Sequence, residues 1–223
     1  MPLNFTAEFL LTGQGDIDPE AKPIALVGRH GRTELNDKNL FRGTKDVPLN
    51  EIGRKQASEV AEFVSKYPIA SIHSSPMTRA MQMAEAVAKL TGLEVVEAEE
   101  LLPWDVGILS GKDRKKYERV LRYYVEHPDE RIEGGERLDD FEERTKDFFN
   151  GHLKDATPER VRLFFAHTSN LVGLSNLIAG TRVTQPEIGE VVKAGGVCAV
   201  YRDGSRYAMQ PVFGHIKPAR FGG

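Results

Sequence analysis

Three scarcities bound this chain before any motif is considered. Its 223 residues hold a single cysteine, and its net charge is only -3. The lone thiol, Cys198, excludes an intramolecular disulfide framework. Its setting, Val197-Cys198-Ala199-Val200-Tyr201, reads as a buried strand in which the thiol acts as a small hydrophobe, in keeping with a reducing cytoplasm. Basic and acidic residues number 30 and 33 and are interleaved, so neither a nucleic-acid surface nor strong charge steering is expected. No run approaches the ~20 apolar residues of a membrane span. The short stretch Phe9-Leu10-Leu11 follows Glu8 with no leading positive charge, so it is read as neither signal nor anchor. Repeats and low-complexity tracts are also missing. What is present, 40% hydrophobic and 28% charged content, suits one sizeable core.

The apolar periodicities predict an α/β chain. Ile24-Ala25-Leu26-Val27, bounded by Pro23 and Gly28, reads as a strand buried on both faces of a largely parallel sheet. A crossover helix is predicted over 50–67, with Asn50 as N-cap and Pro68 as stop. A strand over 69–73 then delivers Ser74-Ser75-Pro76, and a helix over 77–90 closes at Gly92. Residues 93–96 suit a further strand. Helices over 112–127 and 138–154, split by Pro128 and Glu133-Gly134-Gly135-Glu136, suggest a small cap spanning about 104–150. Then come a strand over 161–166 ending at His167, a helix over 170–178, and a hairpin of strands 197–202 and 207–212 around Asp203-Gly204. The expected architecture is a three-layer α/β/α sandwich. Residues 1–20 form an N-terminal extension, and 21–223 a single domain with the cap inserted.

Ligands of open α/β sheets sit at the carboxyl ends of the strands, and three such ends carry polar residues: Arg29-His30, Ser74-Ser75 leading to Arg79, and His167. Two arginines and two histidines converging on one pocket need a compensating anion, because burying like charges together is costly. Each guanidinium offers a planar fork to phosphoryl oxygens, and the N–H groups of the helix after His167 add positive potential. A neutral imidazole aligned with phosphorus can take the phosphoryl group, which splits one hard step into two easier ones. His30 fits that nucleophile, and His167 fits a stabiliser of the transferring group.

At this point Arg29-His30-Gly31-Arg32-Thr33-Glu34-Leu35-Asn36 resembles the signature of the histidine phosphatase superfamily (branch 1 type), which includes cofactor-dependent phosphoglycerate mutases. Further segments resemble that family in the same order: 41–50 with Gly53 and Gln56-Ala57, 74–82 around Arg79, Gly134-Gly135-Glu136, and Phe165-Ala166-His167. The resemblance implies phosphate-binding roles for Arg29, Asn36, Arg79 and the Thr168 backbone, with His30 and His167 catalytic. It also implies a carboxyl acid to protonate the leaving oxygen, commonly a Glu four residues before a glycine. Pro103 stands at that position here, so Asp105, two residues before Gly107, is expected as general acid. Arg32 replaces a residue that is often acidic and could meet a second anionic group. Arg42, Trp104 and Glu136 are further candidates for substrate contact.

The expected activity is a phosphomonoesterase acting on a small organic phosphate through a phosphohistidine on His30, with no cofactor, metal, nucleic acid or membrane. A mutase returning the phosphoryl group to another hydroxyl is the alternative, and a phosphate-binding regulatory module is a second. Arg29 and Arg79 argue against a metal site on His30, His73 and His167. His73, His127, His152 and His215 are expected to pack or to face solvent. Trp104 suits packing as well as a pocket rim, Asn36 also suits a turn cap, and a homodimer is left open.

Overall fold

The computed structural model describes residues 20–180 and 192–215. The expected extension 1–20 therefore lies, all but Glu20, outside the described residues, as does the side chain of His215. Six strands form one sheet: β1 (Ala25–Arg29), β2 (Ile69–Ser74), β3 (Val95–Glu97), β4 (Val161–Ala166), β5 (Val192–Asp203) and β6 (Arg206–His215), in the order β3-β2-β4-β1-β5-β6. The first four pair in parallel, while β5 runs antiparallel to β1 and β6 antiparallel to β5.

The helices are α1 (Glu34–Asp37), α2 (Glu51–Val64), α3 (Thr78–Thr91), α4 (Arg114–Glu126), α5 (Leu138–Leu153) and α6 (Thr168–Ala179). Their ends follow local chemistry. Asn50 accepts the Gly53 N–H to start α2 at 2.9 Å, and Gly92 ends α3 at φ 73°, a left-handed conformation that is cheap only for glycine. The hairpin turns on Gly204 and Ser205, with Asp203 opposite Arg206.

The central strands bury both faces, which is why they read as unbroken apolar runs. Ala25, Val27, Phe164 and Ala166 join Phe148, Phe149, Leu171 and Leu174 from α5 and α6 on one side. Leu26, Leu163 and Phe165 join Val60, Val64, Met83 and Val87 from α2 and α3 on the other. This is the three-layer α/β/α sandwich with a mostly parallel sheet. A third cluster, holding Phe41, Trp104, Leu109, Leu121, Ile132 and Phe141, lies under α4 and the first half of α5. Among the described residues, no helix is long and apolar enough to cross a membrane.

Two elements differ from expectation. β5 begins five residues earlier than the strand predicted over 197–202, because Gly195 and Gly196 are absorbed as an irregularity between Val192 and Val197. Gly195, at φ 78°, donates its N–H to the His30 carbonyl at 3.0 Å. The short α1 was not anticipated, its four residues being too few for a periodic signal.

Candidate active site

Strands β1, β2 and β4 are neighbours, so their carboxyl ends bring His30, Ser75 and His167 to one place. His30 directly follows β1, and its N–H bonds to the Ala166 carbonyl at 3.1 Å, which locks the residue into the sheet's hydrogen-bond ladder. The rings of His30 and His167 lie 5.3 Å apart. With Arg42, Arg79, Arg114 and Thr168 they line a pocket that opens to solvent.

The hydrogen bonds orient both rings and define the tautomer of His30. His30 Nδ1 lies 2.7 Å from the Gly31 carbonyl, which can only accept, so Nδ1 carries the proton and Nε2 the lone pair. Nε2 is buried and has no partner. The Ser75 hydroxyl lies 2.9 Å from His167 Nε2 and accepts the Met77 N–H at 3.4 Å. A hydroxyl oxygen has two lone pairs, so the Ser75 oxygen that accepts from Met77 can either donate to Nε2 or accept from it, and the bond orients the His167 ring, whose Nδ1 is buried and without a partner. Ser75 was read from the sequence only as part of a strand end; its hydroxyl is what orients this ring.

Electrostatics favour neutral rings. Burial first, then Arg42, Arg79, His167 and Arg29, holds the His30 imidazole well below its usual range. Burial and the arginines Arg79, Arg42, Arg29 and Arg144 do the same to His167. Arg29 is brought down to about 10 by burial and by Arg114, and Arg79 to about 10 by burial, which the neighbouring Asp46 partly offsets. Carbonyl oxygens aim these cations: Arg29 donates to Val192 at 2.7 Å, and Arg79 to Lys45 at 2.9 Å and Gly43 at 3.2 Å. The Nε atoms of both have no partner, and neither does the Thr168 hydroxyl. Burial followed by Arg29, Arg79 and Arg114 holds Arg42 well below the ordinary guanidinium range.

Several expected site residues are placed elsewhere. Asn36 is not part of the pocket lining; its side-chain oxygen accepts from the Thr33 N–H at 3.0 Å and the Thr33 hydroxyl at 2.8 Å, a turn-capping role. Arg32 pairs with Asp37, both partly exposed. Glu136 accepts from the Asp105 N–H at 2.9 Å and from Arg144 at 2.8 Å, and so ties the two cap loops together. Trp104 lines the pocket but is 1% exposed, with its indole N–H directed at the Glu136 carbonyl, so it packs. Asp105 is also outside the lining. Its Oδ1 accepts from the Gly107 N–H at 3.0 Å and the Thr44 hydroxyl at 3.3 Å, because the 3-10 turn at Gly107–Leu109 needs its first N–H satisfied. Pro103, by contrast, is in the wall.

Arg114 is the lining residue that sequence reasoning missed. It is the first residue of α4, followed by Lys115 and Lys116, and that first turn has no acidic residue. Three cations in a first turn run counter to the preference set by the helix dipole, here partly met by the N-cap carboxylate of Asp113, and that was the available signal. The guanidinium lies over the Phe41 ring, 5.6 Å from its centroid.

An α/β sheet whose strand ends gather two histidines held low in pKa among arginines forms a pocket suited to an anion. Residues 25–211 match the histidine phosphatase superfamily (branch 1), and the chain belongs to that family of phosphatases and mutases. It is 33% identical to phosphoserine phosphatase 1 of Hydrogenobacter thermophilus over 55% of this chain and 61% of that one, so the match spans less than two thirds of that relative. It is 33% identical to an uncharacterized phosphatase of Bacillus subtilis, over 70% of this chain and 77% of that one. A probable phosphoglycerate mutase of Cronobacter sakazakii is 32% identical over 68% and 73%. The fold is similar to that of mycobacterial glucosyl-3-phosphoglycerate phosphatase, with a TM-score of 0.72 at 22% identity, covering 86% of this chain and 98% of that one.

Proposed function

We propose that the protein is a phosphatase of small organic phosphates that carries the phosphoryl group on His30 Nε2 between two half-reactions. The observation that carries this reading is the single lone pair at a buried, partner-free Nε2, fixed by the Nδ1–Gly31 bond and surrounded by arginines. Arg29, Arg42 and Arg79 hold the phosphoryl oxygens, with the Thr168 hydroxyl and N–H as added donors. His167, oriented through its bond to Ser75, stabilises the charge that grows on the transferring group. Nε2 forms the N–P bond as the P–O bond to the leaving group breaks. Water then attacks phosphorus, the N–P bond breaks, and dihydrogen phosphate leaves with the water's proton. Asn36, Arg32, Glu136 and Asp105 shape the surrounding loops, and no metal or cofactor enters the scheme.

Relatives named as mutases make phosphoryl return to a second hydroxyl the reading to test against. Turnover in isotope-labelled water separates the two: label in the released phosphate is expected, and its absence alongside a rearranged phosphate ester would replace phosphatase with mutase. His30→Ala is expected to abolish acid-labile labelling of the protein.

A further inference from the structure

When a phosphoryl group leaves its oxygen, that oxygen keeps the bonding electron pair, and something must receive the charge. A carboxylic acid can protonate it, or a fixed cation can stabilise it as an anion. The wall around this pocket takes the second course. Among the described residues, none of those lining it is a carboxylate. The residue at the stretch where the family resemblance implies an acid is Pro103, and Asp105 spends its Oδ1 on Gly107 and Thr44.

Two guanidiniums occupy the same wall. Arg42 lines the pocket with His30 and Arg79, and it is the first of the neighbouring charges in lowering the His30 imidazole. Arg114 acts on Arg29 and Arg42, and its guanidinium is spread over Phe41 at the α4 end of the pocket. A chain that needed only to hold a phosphoryl dianion has Arg29, Arg42 and Arg79 for that purpose. Arg114 adds a further guanidinium to the lining, spread over Phe41 with Glu118 as the acidic neighbour that acts on it, so the pocket has cationic capacity beyond those three for a second negative charge.

We infer that the leaving group departs as an anion stabilised by Arg42 and Arg114, with no proton from the protein, so that the substrate is an acyl phosphate or phosphoric anhydride and not an alkyl phosphate ester. The inference rests on the phosphohistidine reading and names its substrate class. In the first step the His30 Nε2 lone pair forms the N–P bond and the P–O electron pair stays on the departing carboxylate or phosphate. Nδ1 keeps its proton, so atoms and charge balance without an acid. An alkyl phosphate would have to expel an alkoxide and is correspondingly slow.

The test is a leaving-group series on the full-length protein: acetyl phosphate, p-nitrophenyl phosphate and glycerol 2-phosphate. The expected kcat/KM for acetyl phosphate exceeds that for glycerol 2-phosphate by about 10³-fold or more, on the scale of a missing general acid. Glycerol 2-phosphate turned over within tenfold of acetyl phosphate would overturn the inference, because a proton donor would then be at work. Arg114→Gln is expected to slow His30 phosphorylation by acetyl phosphate about 10²-fold while the rate of phosphohistidine hydrolysis stays within twofold. Equal slowing of both steps, or of neither, would remove Arg114 from the leaving-group role, with vanadate binding confirming that the variant is folded. If no substrate yields an acid-labile phosphoprotein, the His30 reading itself fails; if one is trapped but the series is flat, only the present inference fails.

Discussion

The molecule contains two histidine pairs, one in the pocket and one under the sheet, and their difference shows what turns a buried imidazole into chemistry. His30 and His167 lie 5.3 Å apart among arginines. His73 on β2 and His152 on α5 lie 4.7 Å apart among phenylalanines, His73 stacked on Phe164 and His152 on Phe148. Burial comes first in lowering His30, His167 and His73, the last to about 4 with His152 and Arg162 adding to it. Neutrality is therefore common to both places and is not what marks the site. Surroundings are. Each of the four rings has one bonded nitrogen, His73 Nε2 to Ser71 at 3.1 Å and His152 Nδ1 to the Phe148 carbonyl at 2.8 Å among phenylalanines, whereas in the pocket the remaining nitrogens, His30 Nε2 and His167 Nδ1, are buried without a partner beside arginines.

The sharpest way to break this comparison is to exchange residues in each pair. His30→Ala should reduce turnover by at least about 10⁴-fold, as loss of a nucleophile does, while His73→Phe should leave kcat within about twofold. A large loss from His73→Phe would mean that the two pairs communicate.

A smaller effect tests the orientation of His167. Ser75→Ala should lower kcat by roughly 10- to 100-fold with little change in KM, since His167 loses the bond that orients its ring, and Ser75→Thr should recover most of it. A change confined to KM would assign Ser75 to packing.

Anion binding offers the next contrast. Inorganic phosphate at 100 times its Kd should stabilise the fold by about 2.7 kcal/mol, measured as a rise in Tm. Arg79→Met should abolish that rise, and His73→Phe should not.

The acid limb of stability gives the smallest effect. Because the folded-state pKa of His73 lies below its unfolded value, the unfolded chain takes the extra proton first as pH falls. Its contribution is whole above the usual value of 6.5 and drains away towards about 4. The expected loss is about 1–2 kcal/mol, reduced from full burial because the ring is half exposed. His73→Phe should flatten that limb in denaturation curves taken across this window. The same sign applied to the pocket keeps His30 neutral and nucleophilic below pH 6.5, so activity should persist there.

Much of this was legible in the sequence where one local rule dominates. The strand over 24–27 declared itself by its apolar run between Pro23 and Gly28, and Asn50 and Gly92 marked helix ends through their side-chain and backbone chemistry. Arg29, His30, Arg79 and His167 stood out because strand ends with such polar residues are costly without a ligand. What escaped was decided by contacts between distant segments. Arg114 reaches the pocket only because α4 packs on Phe41, 73 positions along from it in one direction of the chain's folding and unreadable from periodicity alone, and Ser75 matters only through its bond to His167 across the sheet. Arg32, Asn36, Asp105 and Glu136 are engaged by nearby groups that a linear motif does not display: Asp37, Thr33, the Gly107 N–H and Arg144.

The contact between the loops that follow Pro103 and Ile132 has a further consequence. A methyl group on Gly107 would sit 2.1 Å from the Glu133 carbonyl, and one on Gly135 would sit 2.4 Å from the Asp105 carbonyl. The two loops are thus clasped backbone to backbone, with Glu136 and Arg144 as the latch. Side chains ahead of the clasp can be exchanged without loosening it. Position 103 lines the pocket just ahead of this clasp, and on the inference above Pro103→Glu would offer a carboxyl there without rebuilding the loop.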